Sequence, residues 1–421
     1  MKPDVIVVGG GAAGLLAALA AARGGLRVLV FEAAKDAGRK ILVSGGGRCN
    51  VLPMEDAPGR FVSESPNRLV RRFLDRWPLP SQRAFFEDLL GGALREEPES
   101  KKLFPPSNRA KDVRDALRAA VAAAGGELRA GTPVRDLART GDALAVRLDG
   151  GDEVAAPRVI LATGGRSVLA GGADAAGYEW AAALGHTVRP TYPALVPLTG
   201  DAPAHHALAG VSLAARVTAR SERERASSSG GFLFTHKGWS GPAVLDISHV
   251  VERAALAGTV AEVGVCFGPA DSSRGQADAA AAWDAALRGA GVSAGTGALL
   301  LSSFLSKSSS LPDRLVRLIL EVARVPNQKL SLLSREARLR VVETLTAFPL
   351  PATGTEGYRT AEVTGGGIAL EEVDAGSGRS RLVPGLFLAG EILDAFGPIG
   401  GHNFQWAWAT GRTAGEAAAR G

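Results

Sequence analysis

A chain of 421 residues with 46% hydrophobic content is long enough for two or three domains and apolar enough to be globular throughout. Its 48 Lys and Arg against 43 Asp and Glu leave a net charge of +5, read either as solvated arginine-rich helix faces or as a face for a polyanion such as RNA. Two cysteines, six scattered histidines without an HxxxH or HExxH pattern, and no apolar run of membrane length exclude a disulfide framework, a metal site and a membrane span, and point to a reduced, cytoplasmic protein.

The first element is the run Val5 to Val8, continuous and β-branched as a buried parallel strand should be. It enters Gly9-Gly10-Gly11-Ala12-Ala13-Gly14. Gly9 turns the chain, Gly11 lets the backbone approach a pyrophosphate, and Gly14 lets the next helix pack close to the strand. That helix, 12–23, points free amides and its positive dipole end at the phosphates, beginning with Ala12 and Ala13. It stops at Gly24-Gly25. The apolar start therefore reads as strand and helix rather than as a signal peptide. A second strand, 27–31, is closed by Glu32, at the spacing of a carboxylate that accepts from a ribose hydroxyl.

Next comes the loop Gly38 to Asn50. Gly45, Gly46 and Gly47 open backbone conformations closed to other residues, so the loop can wrap a planar ligand with Ser44, Cys49 and Asn50. Arg39, Lys40 and Arg48 place positive charge where a pyrophosphate or a reduced flavin would sit. Segments 66–95 and 109–124 read as helices, and 126–130, 134–138 and 143–149 as a three-stranded meander. The strand 158–161 ends in Ala162-Thr163-Gly164 and returns the chain to the first sheet. From 196 to 274 alternation predicts an inserted antiparallel β domain, with 221–230 a polar turn. From 275 to 347 a helical subdomain is expected, interrupted by the Ser-rich stretch 302–310 and by Asn327 to Leu330.

A second signature closes the chain. Gly385 to Glu391 is a short strand running into Gly390-Glu391, followed by Gly400-Gly401 and a helix over 405–420. The two signatures together predict an FAD held along its length, with the first part of its domain at 1–195 and the second at 348–421. The fold class is α/β, a Rossmann-like FAD-binding domain of the glutathione-reductase-like two-dinucleotide type, with a β-rich insertion and a helical subdomain. The N-terminus of the last helix, with Gly401, His402, Asn403 and Phe404, would face the end of the flavin that gathers negative charge on reduction.

Several of these motifs carry a family likeness. Gly38-Arg39-Lys40 with Ser44 to Asn50, Pro193 to Leu198, Phe234-Thr235-His236 with Ser240-Gly241-Pro242, Ala347 to Leu350, Glu362-Val363-Thr364 with Gly366-Gly367, and Ala389-Gly390-Glu391 with Gly400-Gly401 and Asn403 to Trp406 span nearly the whole chain. In them the chain resembles the BaiN-like, or aminoacetone-oxidase, family of NAD(P)/FAD-dependent oxidoreductases. The resemblance implies an FAD domain built from both ends, the backbone of Val134 at the adenine edge, and Glu391 at the ribityl chain or pyrophosphate. It implies activities on small amines, steroid-like enones or uridine in ribosomal RNA. The chain departs from the family at 167–174, which lack its Tyr-Pro and Thr-Gly pattern, and at His402, where an aromatic residue is more frequent.

Two residues invite a catalytic role, each with a plainer alternative. Cys49 beside Arg48 is either a proton donor of lowered pKa or a small residue packed in a tight loop. His402 is either an acid or base or a packing residue. His236 with Lys237 reads as a loop pair at the domain edge, and Cys266 as core. No second GxGxxG follows a strand and no CxxC is present, so NAD(P)H would bind transiently in an unmarked site. The leading expectation is an FAD-dependent oxidoreductase that reduces a C=C bond with NAD(P)H, taking a small molecule or uridine of ribosomal RNA. The alternatives are a flavin oxidase of a small amine or amino ketone, and a non-catalytic flavin-binding sensor.

Overall fold

The computed structural model describes residues 2–167, 175–268, 276–293, 295–309 and 311–421. Residues 168–174, in the stretch that departs from the family pattern, lie outside the described residues, as does the expected boundary at 274. The chain divides into two compact units, Met1–Pro193 with Tyr358–Gly421, and Ala194–Gly357.

The first unit is organised by a five-stranded parallel sheet. Its strands are β1 (Val5–Val8), β2 (Val28–Glu32), β3 (Glu127–Ala130), β4 (Arg158–Leu161) and β5 (Leu386–Leu388), in the order β5-β4-β1-β2-β3. Val5 pairs with both Val28 and Arg158, and Val159 pairs with Leu386. The central strands are buried, which is why they read as unbroken apolar runs. Expectation and structure differ at 126–130. That strand joins the parallel sheet beside β2, and the antiparallel meander consists instead of Val134–Thr140, Ala143–Leu148 and Glu153–Ala156. The edge strand β3 alternates exposed and half-buried residues, so its pattern resembles that of the meander.

Three helices of this unit matter below: α1 (Ala12–Arg23), α2 (Asn67–Asp75) and α3 (His402–Arg420). α1 and α3 meet through small residues. A Cβ added at Gly411 would lie 2.2 Å from the Ala13 carbonyl oxygen, and one at Gly415 would lie 2.2 Å from that of Ala17. Bulk on either side would hold the helices apart. The loop after β2 forms one helical turn, Arg39–Val43, and then a turn through Gly45, Gly46 and Gly47 at φ 56°, 67° and 84°. Those are left-handed values that glycine adopts at no steric cost.

The second unit holds a seven-stranded antiparallel sheet. Its order runs Phe348–Leu350, Glu262–Cys266, Ser212–Arg220, Arg225–Phe234, Gly238–Ser240, Leu198–Thr199, Gly354–Thr355. The polar stretch expected as a turn over 221–230 is strand from Arg225 onward, because Ser228 and Ser229 pair with Val217 and Arg216; only 221–224 turn. The Ser-rich stretch expected to break the helices is itself a helix, Leu301–Ser309, held by the fully buried Leu301 and Leu305. The helices and the sheet share one core, and the Trp283 indole donates to the Phe267 carbonyl at 2.7 Å. The segments expected as a β domain and a helical subdomain are thus one unit. It runs to Gly357 rather than 347, because Phe348–Leu350 pairs with Glu262–Cys266. Among the described residues no helix is long and apolar enough to cross a membrane.

Candidate functional site

The carboxyl ends of β1, β4 and β5 open on a cavity of about 420 Å³ in the first unit. That is where a doubly wound sheet places its ligand. The turn after β1 contributes Gly9, Gly11, Ala12 and Ala13, and β2 ends in Glu32. The glycine loop contributes Arg39, Lys40, Ser44, Gly45, Gly46 and Asn50, and Val134 comes from the meander. The turn after β4 contributes Ala162, Thr163 and Gly164, and the closing signature adds Gly390, Glu391, Gly401, Asn403 and Phe404. The two ends of the chain therefore build one site.

The glycines have separable reasons. A Cβ at Gly9 would meet the Ala162 carbonyl oxygen at 2.4 Å, and one at Gly14 the Gly9 oxygen at 1.8 Å. These two hold strand, turn and helix together, and Gly14 supports the site without lining it. A Cβ at Gly11 or Gly164 would meet no protein atom. There the chain leaves room for something else. α1 starts at Gly11 with no side-chain cap, so its first amides are free for an anion.

Two carboxylates stand at opposite stations. Glu32 accepts from the Gly10 amide at 2.7 Å and from the Ala34 amide at 2.8 Å, one bond on each oxygen. Each oxygen keeps lone-pair capacity for a hydroxyl. Glu391 accepts from Lys40 Nζ at 2.5 Å and from the Thr364 amide at 2.8 Å. Lys40 also donates to Ser167 Oγ at 2.8 Å, and the Arg166 amide donates to Thr364 Oγ1 at 2.7 Å. This cluster ties four distant segments together at the cavity wall. Asn50, with 8% exposure, accepts from the Gly401 amide at 2.9 Å and donates to the Leu52 carbonyl at 3.1 Å, locking the glycine loop to the start of α3.

Besides Gly14, four residues expected at the site do not line it: Gly47, Arg48, Cys49 and His402. Arg48 turns away to Glu97 at 2.9 Å, its guanidinium 4.0 Å over the Phe104 ring. Cys49 is fully buried, and burial pushes its thiol up to about 12 despite a hydrogen bond with Ser44. Of the two alternatives for Cys49, the structure fits the small residue packed in a tight loop rather than the proton donor of lowered pKa, because Arg48 is spent elsewhere and the thiol sits in apolar packing. His402 packs edge-on against Phe61 with ring centroids 6.2 Å apart. Burial, helped by the charge of Arg60, pulls its imidazole down to about 4. It is a neutral packing residue at neutral pH, and the acid–base role is not supported.

Other wall residues were not singled out as site residues: Lys102, Trp180, Glu362, Val363, Ala395 and Trp406 are among them. Glu362 and Val363 belong to a motif that carried the family likeness, which was the available signal; Trp180 and Ala395 gave none. Beside the wall lies Asp394, 2% exposed and raised to about 6 by burial. It accepts from the Glu64 amide at 3.0 Å and Ser63 Oγ at 3.1 Å, with Arg189 Nε 3.3 Å away. Among the described residues no group of three or more His, Cys, Asp and Glu could hold a metal ion.

The open cradle at Gly11 and Gly164, the uncapped helix start and the carboxylate at the end of β2 fit a dinucleotide such as FAD. Gly9, Gly11, Ala12 and Ala13 would hold its pyrophosphate and Glu32 its ribose. Comparison with known proteins agrees with this layout. Residues 3–417 match the family model described as the HI0933-like protein Rossmann domain. A ribosomal RNA dihydrouridine synthase of Escherichia coli K12 is 32% identical over 97% of this chain and 96% of its own length. A 3-dehydro-bile acid delta(4,6)-reductase of Clostridium scindens is 31% identical, with 98% of each chain covered. The crystal structure of a 3-ketosteroid-delta4-(5alpha)-dehydrogenase from Rhodococcus jostii RHA1 superposes with a TM-score of 0.49 at 16% identity, over 99% of this chain and 97% of that one. With the family model covering nearly its whole length, the chain belongs to the HI0933-like Rossmann family and is an FAD-dependent oxidoreductase.

Proposed function

We propose that the protein reduces a C=C bond conjugated to a carbonyl, with NAD(P)H as electron donor and the uracil ring of uridine in ribosomal RNA as substrate. The observation that carries this reading is the pair of relatives matched along almost their full length. One is named for making dihydrouridine and the other for reducing a dehydro-bile acid. Saturation of a ring C=C beside a carbonyl is the chemistry the two names share.

The site suits that chemistry. FAD, when bound, supplies the transfer of a hydride equivalent to the electron-poor carbon. The chain's own part is to bind, orient and stabilise charge. The N-terminus of α3 reaches the cavity at Gly400 and Gly401 and has no acidic residue in its first turn. Its amides favour negative charge there. Trp180, Phe404 and Trp406 give an apolar wall for a flat ring. Lys40 is neutralised by Glu391 and supplies a donor rather than a net charge. Neither Cys49 nor His402 is assigned a proton, since neither lines the cavity.

An anaerobic titration of the FAD-loaded protein with NADH and with NADPH tests the donor. Bleaching of the oxidised-flavin band by either one, followed by its recovery when uridine-containing ribosomal RNA is added, is the expected course. A flavin that light reduces but neither nicotinamide does would remove the donor from the reading. Recovery with oxygen alone, driven by a small amine as reductant, would favour an oxidase instead.

A further inference from the structure

Three runs of basic residues stand out in the sequence, and the structure separates them. Around 109–118 the three arginines are paired. Arg109 pairs with Asp112 at 3.0 Å, Arg118 with Asp36 at 2.9 Å, and Arg114 with Asp36 and Asp115. In the run 314–340, Arg338 pairs with Asp284 at 2.7 Å, while Arg314 and Arg340 each donate to a backbone carbonyl at 3.2 Å. The rest of that run, Arg317, Arg324, Lys329 and Arg335, is scattered over two helices and the segment between them.

α2 is different. Arg68, Arg71 and Arg72 on the helix and Arg76 at its C-terminal cap are all exposed, and none of their guanidinium groups has an ion pair or hydrogen bond among the described residues. At about 100° per residue they fall within an arc of roughly 140°. Asp75 shares that arc, which arginine still dominates four to one. Arg68, Arg72 and Arg76 are one turn apart, so their guanidinium groups climb in steps of about 6 Å. The opposite face is Val70, Phe73 and Leu74, all buried. Phe73 meets Trp406 edge-on with ring centroids 5.2 Å apart, and Trp406 lines the cavity. One side of α2 thus supports the cavity wall while the other carries a row of uncompensated cations.

We infer that the arginine face of α2 docks the phosphodiester backbone of the RNA substrate, holding a strand alongside the site where one base is to be reduced. This rests on the proposed RNA substrate and gives it a place on the molecule. Arginine's planar fork suits phosphate oxygens, and several such groups in a row suit a chain of phosphates better than a lone anion. A lipid surface fits less well, because none of the exposed large hydrophobic side chains lies on α2 to enter a bilayer.

The test is fluorescence anisotropy of a labelled uridine-rich RNA oligonucleotide with the full-length, FAD-loaded protein across a salt series. The quadruple variant R68A/R71A/R72A/R76A is expected to bind roughly 10- to 100-fold more weakly at 0.1 M salt, with a log–log salt slope shallower by about 3. The variant R317A/R324A/R335A is expected to bind as the parent does. Flavin absorbance and its bleaching by NAD(P)H report that each variant is intact. A parent protein that binds no RNA overturns the RNA substrate itself. A parent that binds, with an equally competent quadruple variant, overturns only the docking face. Preference of the parent for phosphatidylglycerol vesicles over the RNA also overturns it.

Discussion

Cys49 and His402 show how a side chain's role depends on where its neighbours turn. The sequence puts Cys49 beside a cation, but the guanidinium of Arg48 lies over Phe104 and pairs with Glu97. With its thiol pushed up to about 12, Cys49 should resist a thiol reagent in the native protein at pH 8, and Cys49→Ala should leave the rate of flavin reduction unchanged. Fast labelling or a large drop in rate would contradict the buried placement. His402 is held near 4, below the ordinary 6.5 of an unfolded chain, so the unfolded state binds the extra proton first. Its contribution to stability is therefore complete above pH 6.5 and is lost as pH falls from 6.5 to 4, by about 3 kcal/mol. Asp394 works in the opposite direction. Raised from 3.8 to about 6, it costs stability as pH climbs through that window, again by about 3 kcal/mol. The two nearly cancel in the parent. Melting temperatures measured between pH 4 and 7 should show Asp394→Asn more acid-sensitive than the parent and His402→Gln less so.

At the scale of elements, the crossing of α1 and α3 is the most exacting contact. In a solvent-exposed helix Gly→Ala stabilises by about 1 kcal/mol. At Gly411 the sign should reverse, because the added methyl meets the Ala13 carbonyl oxygen at 2.2 Å, with a cost of about 1–3 kcal/mol. Since Ala13 also lines the cavity, Gly411→Ala should weaken FAD binding as well as lower the melting temperature, both readable from flavin fluorescence during heating. Elements with a strong local pattern were legible in the sequence. β1, α1, β2, the glycine loop and the closing signature all line the cavity or support its wall, and all carry special backbone or buried runs. What escaped was decided by tertiary pairing. β3 reads as a half-exposed strand whether it joins the sheet or the meander. The serines of 301–309 form a helix because two leucines anchor it. Trp180 and Ala395 reach the wall only through the packing of segments far apart in sequence, and Asp394 is an ordinary acid until its burial is known.

At the scale of the whole molecule, the site is assembled from segments nearly as far apart in sequence as the chain allows. β5 lies two places from β1 in the sheet, and Gly390 stands where a Cβ would touch that of Ala13 at 2.7 Å. A chain stopped after Pro384 lacks β5, Glu391 and α3, so it should lose FAD during gel filtration although the whole turn after β1 remains. Retention of the flavin by that fragment would mean that the first turn and Glu32 suffice. The same arrangement has a consequence for synthesis. At about 5–20 residues per second, the turn after β1 leaves the ribosome tens of seconds before its partners do. Through that interval an uncapped helix start and three exposed buried-type strands wait for a strand not yet made. FAD capture must then follow emergence of the closing segment, so the pool of newly made protein without flavin depends on how fast that segment docks, and free FAD can rescue it only after that.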